Sequence, residues 1–393
     1  MRVLILNDVA APVGGAEILT LGIRDELRAR GHDARCFTST AYLDGAATPA
    51  DYACFGTTSR LRTVNRTLNP DAYRRLRSVL AEFRPDVVHV RMFMTQLSPL
   101  ILPLLRAVPS IYHAAWYELI CPTGHKLLRE GTVCRQPAGR ACLRCLSPQA
   151  WGVLMLQRRL SAHWRDAFDL YVANSDTMRR RLDEHGIGPA VRVYNGVPTR
   201  EPRPPLRNPP TVAYAGRLNR EKGVDVLVRA FATVVRTHPR AQLLLLGDGP
   251  DRAMLEQLVA SVGLAGHVTM TGLLSRERTE DELDRAWAQV APSVLEEPFG
   301  NAVAEAIMRG TAVIATGHGG PAEIVDDGET GLLVPPGDAG ALAGALRSLL
   351  GDRERAERMG AAGRQRRRET LSLEACVDRL VGTYRDVTGR IAS

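Results

Sequence analysis

With 393 residues, 45% of them hydrophobic and 24% charged, the chain is globular and long enough for two cores. Its seven cysteines fit poorly with a secreted disulfide scaffold. No apolar run approaches a membrane span and the first residues lack a signal-peptide pattern, so a cytoplasmic location is expected. The net charge of +8 is uneven: residues 1–199 carry 26 Lys+Arg against 17 Asp+Glu, or +9, and residues 200–393 carry 25 against 26, or −1. A basic first half suits an anionic acceptor or peripheral attachment to a lipid phosphate surface, and equally a surface of solvated arginines. Basic residues are not interleaved with aromatics and no recognition motif occurs, so nucleic acid is not an expected partner.

In chain order, Arg2-Val-Leu-Ile-Leu-Asn7 is a continuous apolar run of the kind that forms a central parallel strand. Gly14-Gly15-Ala16-Glu17 then leads into a helical pattern from Ile18 to Arg30, stopped by Gly31. A strand, a glycine turn and a helix bring backbone N–H groups to a helix N-terminus, where a phosphate can bind, although such a turn also serves tight packing. A helix marked by Tyr73, Leu76, Leu80 and Phe83 precedes the strand Pro85 to Val90, whose His89 alternates with valines and reads as structural. Ser110 to Ala114 is a further strand, with His113 at the carboxyl edge where open α/β sheets place ligands.

An irregular segment follows, with Cys121, Cys134, Cys142 and Cys145. The last two form Cys-x2-Cys, a spacing that suits two ligands of a tetrahedral zinc; four thiolates would complete a closed structural site. Reduced thiols and two disulfides are the alternatives. A long loop with few apolar residues needs some staple, which favours the metal or a covalent link.

A helix from Trp151 to Asp166, a strand from Leu170 and a basic helix from Thr177 to Glu184 complete a first domain, 1–198, with residues 121–145 as an insertion. Residues 199–210 contain five prolines and read as a stiff linker. Alternation then restarts for a second domain, 211–370, with a last helical stretch over 371–393. Its first strand ends in a turn carrying Arg217 and Lys222 between Gly216 and Gly223, a cation pair suited to a diphosphate.

The most informative stretch is Glu297-Pro-Phe-Gly-Asn301, continuing as a short helix to Gly310. Glu297 lies ahead of this helix and Glu305 inside it, at most roughly 12 Å apart. That is too far for one metal or one acid–base pair. It suits two anchors on one elongated ligand, with the N–H groups of Phe299, Gly300 and Asn301 facing an anion between them; solvated helix-end carboxylates are the plainer reading.

Glu297-Pro-Phe-Gly-Asn-x3-Glu305 resembles the Glu-x7-Glu signature of retaining GT-B glycosyltransferases, specifically glycosyltransferase family 4. Gly216-Arg-Leu-x3-Lys-Gly223 is similar to that family's diphosphate-binding turn, and the Gly14 loop and His113 agree in order and place. The resemblance implies a GT-B fold: two doubly wound, Rossmann-like α/β domains facing across a cleft, with the terminal helix returning to the first. It implies transfer of a hexosyl residue from a UDP- or GDP-sugar to an acceptor hydroxyl, with retention and no metal in the chemistry. Its implied assignments are Glu297 and His113 as catalytic groups, Glu297, Phe299, Gly300 and Asn301 around the donor hexose, and Gly14, Gly15, Arg217 and Lys222 around the diphosphate. Glu305 would hold the ribose, and the base would lie near Gly247 and Leu273. Where many relatives carry His-Asp, this chain has His113-Ala114. A similar Cys-bearing insertion occurs in some members.

Two other readings stand beside this. A dinucleotide-dependent oxidoreductase would need Gly-x-Gly-x2-Gly after the first strand, which is absent, and a non-catalytic nucleotide-sugar sensor would be expected to lack His113 or Glu297.

Overall fold

The structure is a computed structural model that describes residues 1–11, 14–43, 46–59 and 62–392. The chain divides into two compact units. The first comprises residues 1–129, 134–198 and 373–393; the second comprises 199–372 with residues 130–133.

The first unit is built on seven parallel strands: β1 (Arg2–Val9), β2 (Asp33–Ser39), β3 (Tyr52–Cys54), β4 (Val87–Val90), β5 (Ser110–Ala114), β6 (Leu170–Ala173) and β7 (Ala190–Arg192). Their order in the sheet is β3-β2-β1-β4-β5-β6-β7. β1 is central because Val3 to Leu6 are apolar on both faces, and all four are buried. One face packs Val3 and Ile5 with Leu19, Ile23 and Leu27 of helix Gly15–Ala29 and with Val377, Leu380 and Tyr384 of helix Leu373–Ala392. The other packs Leu4 and Leu6 with Leu76 and Phe83 of helix Pro70–Phe83 and with Phe93, Tyr112 and Phe168. The chain reverses between β1 and β4, at a topological switch point where open sheets leave a crevice at their carboxyl ends.

The second unit repeats the plan with six parallel strands: β8 (Thr211–Ala215), β9 (Gln242–Leu246), β10 (Val268–Gly272), β11 (Ala288–Ala291), β12 (Ala312–Thr316) and β13 (Gly331–Val334), in the order β10-β9-β8-β11-β12-β13. The proline-rich stretch 199–210 has no regular structure, yet it is not free of the unit. Leu206 is buried in its core, its N–H donates to Glu357, and Arg203 N–H donates to the Arg309 carbonyl. One leucine among the prolines is enough to lay the stretch down, because the prolines cost little further entropy on ordering.

No helix among the described residues is long and apolar enough to cross a membrane.

Candidate functional site

In the second unit the turns that follow β8, β9 and β10 are tied together at the carboxyl edge of the sheet. Gly247 N–H donates to the Gly272 carbonyl at 3.0 Å and Leu218 N–H to the Asp248 carbonyl at 2.9 Å. Gly247 must be glycine: its φ is +132°, and a Cβ would stand 2.1 Å from the Gly216 carbonyl oxygen. Leu273 follows directly and is 81% exposed, so an apolar side chain stands in solvent beside this backbone ledge. Arg217 is exposed on the same turn, while the neighbouring Leu218 is buried and anchors it.

Lys222 closes the turn Arg220–Lys222, and Glu221 carries the link to the next loop through its carbonyl, which accepts from Val294 and Leu295 N–H. Lys222 Nζ donates to Glu297 Oε1 at 2.6 Å, and Ser293 Oγ donates to the same oxygen at 2.5 Å. The Ser293 carbonyl accepts from Thr316 Oγ1 at 2.9 Å, with His318 Nε2 at 3.2 Å, so the loop that carries the carboxylate is braced from the Lys222 turn and from the end of β12. Burial pushes the Glu297 pKa up, but the Lys222 charge and the hydrogen bonds from Lys222 and Ser293 outweigh it and hold the carboxyl below its ordinary range.

Helix Asn301–Arg309 starts directly beyond this loop. Gly300, at φ +91°, occupies its N-cap without a side-chain cap. Val303, Ala304, Ala306 and Ile307 face the core, whereas Glu305 is exposed on the same helix. The arrangement therefore presents a fixed carboxylate, a cation paired to it, a second exposed cation, an uncapped helix start and a second carboxylate. Together these can hold an anionic ligand that also carries hydroxyls.

The loop that carries Glu297 is held by backbone on backbone. Gly320 N–H donates to the Glu297 carbonyl at 2.8 Å, and a Cβ on Gly320 would stand 2.3 Å from Phe299 Cα. Gly320→Ala is therefore expected to push residues 297–299 aside, costing about 1–3 kcal/mol of stability. Thermal melting checks this.

In the first unit, Gly14 is extended ahead of helix Gly15–Ala29 and leaves its start without a side-chain cap. A Cβ there would meet Glu17 Oε2 at 3.0 Å. His113 ends up fully buried in β5. Burial, then the Arg91 charge and His89, push its pKa well below the ordinary imidazole range, so it is neutral. His89 on β4 is close by, with Nε2 at 3.2 Å from His113 Nδ1, and Arg91 Nη1 stands 3.0 Å from the same nitrogen.

Two further buried acids lie in this unit that the sequence did not single out. Asp8, at the end of β1, accepts backbone N–H bonds from Thr95, Gln96 and Leu97 and the Thr95 hydroxyl, all within 2.7–2.8 Å. Glu118 accepts from Tyr112 Oη at 2.9 Å and Trp116 Nε1 at 3.1 Å; burial, then Asp8, push its pKa up to about 8. Position at a strand end was the available signal for Asp8; nothing in the local sequence marked Glu118.

The four cysteines of residues 121–145 are free thiols, and no three His, Cys, Asp or Glu side chains among the described residues are grouped to hold a metal ion. Burial, then the charges of Cys121, Cys134 and Cys142, push the Cys145 pKa up, so the four thiols of the expected tetrathiolate site lie in one neighbourhood. Polar contacts secure the segment: Trp151 Nε1 donates to the Gly139 carbonyl at 2.8 Å, Lys126 Nζ to the Gln136 carbonyl at 3.2 Å, and Cys134 N–H to the Lys126 carbonyl at 2.6 Å. These meet part of the need for a staple that the loop length suggested.

With this geometry established, comparison with known proteins is informative. A model of glycosyl transferases group 1 matches residues 197–366, and one of glycosyltransferase family 4 matches residues 13–201. Glycogen synthase of Mycobacterium tuberculosis is 31% identical over 299 residues, 72% of this chain and 64% of that protein. The chain spans about half to two thirds of the length of the first curated relatives it matches. Among solved structures, sucrose-phosphate synthase from Thermosynechococcus elongatus superposes with a TM-score of 0.78 at 23% identity, over 99% of this chain and 100% of that one. Anabaena HepE, solved in complex with UDP-glucose, gives 0.69 at 18% identity over 98% and 99%.

Proposed function

This chain belongs to glycosyltransferase family 4, and we propose that it moves a hexosyl residue from a nucleoside diphosphate sugar to an acceptor hydroxyl with retention of anomeric configuration. The observation that carries the proposal is the Glu297 carboxylate, fixed by Lys222 and Ser293 beside an uncapped helix start. A structural neighbour that binds UDP-glucose supports a UDP-sugar as donor.

In this reading the C1–O bond between hexose and diphosphate breaks, and a C1–O bond to the acceptor forms on the same face. The acceptor proton passes to the departing phosphate oxygen. Arg217, Lys222 and the N–H groups at the helix start meet the negative charge that grows on the diphosphate, which is the role a divalent metal fills elsewhere. Glu297 orients the hexose hydroxyls, Glu305 accepts from the ribose hydroxyls, and the base rests at the Gly247 ledge near Leu273. For the first unit, His113 donates its free ring N–H to a hydroxyl next to the reacting carbon, and Gly14 and Gly15 offer backbone to the diphosphate.

The test starts from a panel of UDP- and GDP-hexoses, in which the true donor should raise the melting temperature. Turnover of that donor should persist in excess EDTA, and proton NMR of the first product should show the donor's own anomeric configuration. An inverted product, or turnover abolished by EDTA and restored by a divalent ion, would refute the mechanism.

A further inference from the structure

Behind His113 lies a line of buried polar groups that runs to the last helix of the chain. Tyr384, on helix Leu373–Ala392, places Oη 2.7 Å from His89 Nδ1. His89 Nε2 lies 3.2 Å from His113 Nδ1, the two rings being nearly coplanar in tilt, at 18°. Arg91 Nη1 lies 3.0 Å from that same His113 nitrogen. Tyr384, His89, Arg91 and His113 are all fully buried.

Only one assignment of protons satisfies all three contacts. A guanidinium has donors and no acceptor, so His113 Nδ1 must accept, and in a neutral ring the proton then sits on Nε2. An accepting Nδ1 also requires His89 Nε2 to donate, which leaves His89 Nδ1 to accept, and Tyr384 Oη must donate to it. Every bond in the line points the same way. Its far end is His113 Nε2, a buried atom that has no hydrogen-bond partner among the described residues. A buried N–H without a partner is costly, and the cost is recovered when a ligand oxygen arrives.

We infer that Tyr384, His89 and Arg91 are positioning residues that lock His113 into its Nε2–H tautomer, so that it meets a substrate hydroxyl as a ready donor. The inference rests on the proposed function only for what His113 does to substrate, not for how the ring is held. It also gives the terminal helix a part in the chemistry: a phenol 295 residues downstream of His89 reinforces the tautomer that Arg91 sets from the other end.

The test is long-range proton–nitrogen NMR of the full chain labelled with 15N-histidine, with His89→Gln and His113→Gln spectra assigning the two rings. Both rings should be neutral with the proton on Nε2. A protonated Nδ1 on His113, or an imidazolium, overturns the inference. Tyr384→Phe deletes one hydroxyl from a site that accepts the ring, so folding should survive. Its His89 signals should move toward a mixture of tautomers while donor KM holds and kcat, read as UDP-glucose hydrolysis or turnover of the donor found by melting, falls about threefold to tenfold. If Tyr384→Phe leaves the His89 tautomer unchanged, the line does not act as a unit. If the tautomers shift and kcat does not, the line stands and it is the role of His113 in the proposed function that fails.

Discussion

Lys222→Ala is expected to lower kcat/KM for the nucleotide-sugar donor by about 10^3, with the melting temperature falling as well. The activity loss follows from charge. In the proposed mechanism a departing diphosphate must be stabilised inside the site, and a preorganised donor aimed at developing charge is worth roughly 10^2–10^3 in rate. Lys222 has a second duty, since it bonds Glu297 at 2.6 Å and its charge is the main counterweight to the burial of that carboxyl. Without it Glu297 keeps the Ser293 hydroxyl alone, and its pKa climbs. Glu297→Gln should lose activity by a comparable factor, and the double variant should lose much less than the product of the two, because each single change already dismantles the pair. Steady-state kinetics on the four proteins checks this. Near-normal turnover in either single variant would remove both residues from the mechanism.

Glu118→Gln is expected to change the pH dependence of stability. In the folded chain the Glu118 carboxyl is raised to about 8 from 4.5, chiefly by burial, so at neutral pH it is a neutral acid that would ionise on unfolding. A raised acid contributes stability that is complete below its unfolded value and is lost as pH rises through the folded one. Across pH 4.5 to 8 the loss amounts to at most about 5 kcal/mol, at 1.36 kcal/mol per unit. Glutamine does not titrate. Whatever fixed offset the substitution brings, the variant should gain on the parent steadily from pH 5 to pH 8, as followed by urea unfolding through the fluorescence of Trp116 and its neighbours. Parallel stability curves for the two proteins would show that the carboxyl is ionised in the fold.

Much of the architecture could be read from the chain because parallel strands buried on both faces are unbroken apolar runs. Val3 to Leu6, Leu243 to Leu246 and Ala312 to Ala315 all mark their strands without help from distant residues. The helix between Gly300 and Gly310, with Glu297 ahead of it and Glu305 inside, was legible because its start and stop signals are local. What remained hidden was contact between residues far apart. Glu297 and Lys222 had been assigned to different parts of a ligand, and nothing in a separation of 75 residues announced that they bond. His89 read as structural because it alternates with valines, a pattern that reports burial but not partners. Arg91 and Tyr384 had no local mark at all, and Leu206 among its prolines looked too sparse to pack.

The sheet face formed by Val3, Ile5 and Ile111 is covered in part by Val377, Leu380 and Tyr384, which are synthesised only after all of residues 199–372. During translation the earlier unit therefore waits with an oily surface bare, for on the order of ten seconds or more at roughly 5–20 residues per second. Completion of the earlier unit must wait for the later one, and a nascent chain stalled short of residue 373 should be a preferred client of ribosome-bound chaperones, while the later unit, continuous in sequence but for four residues, can close on its own.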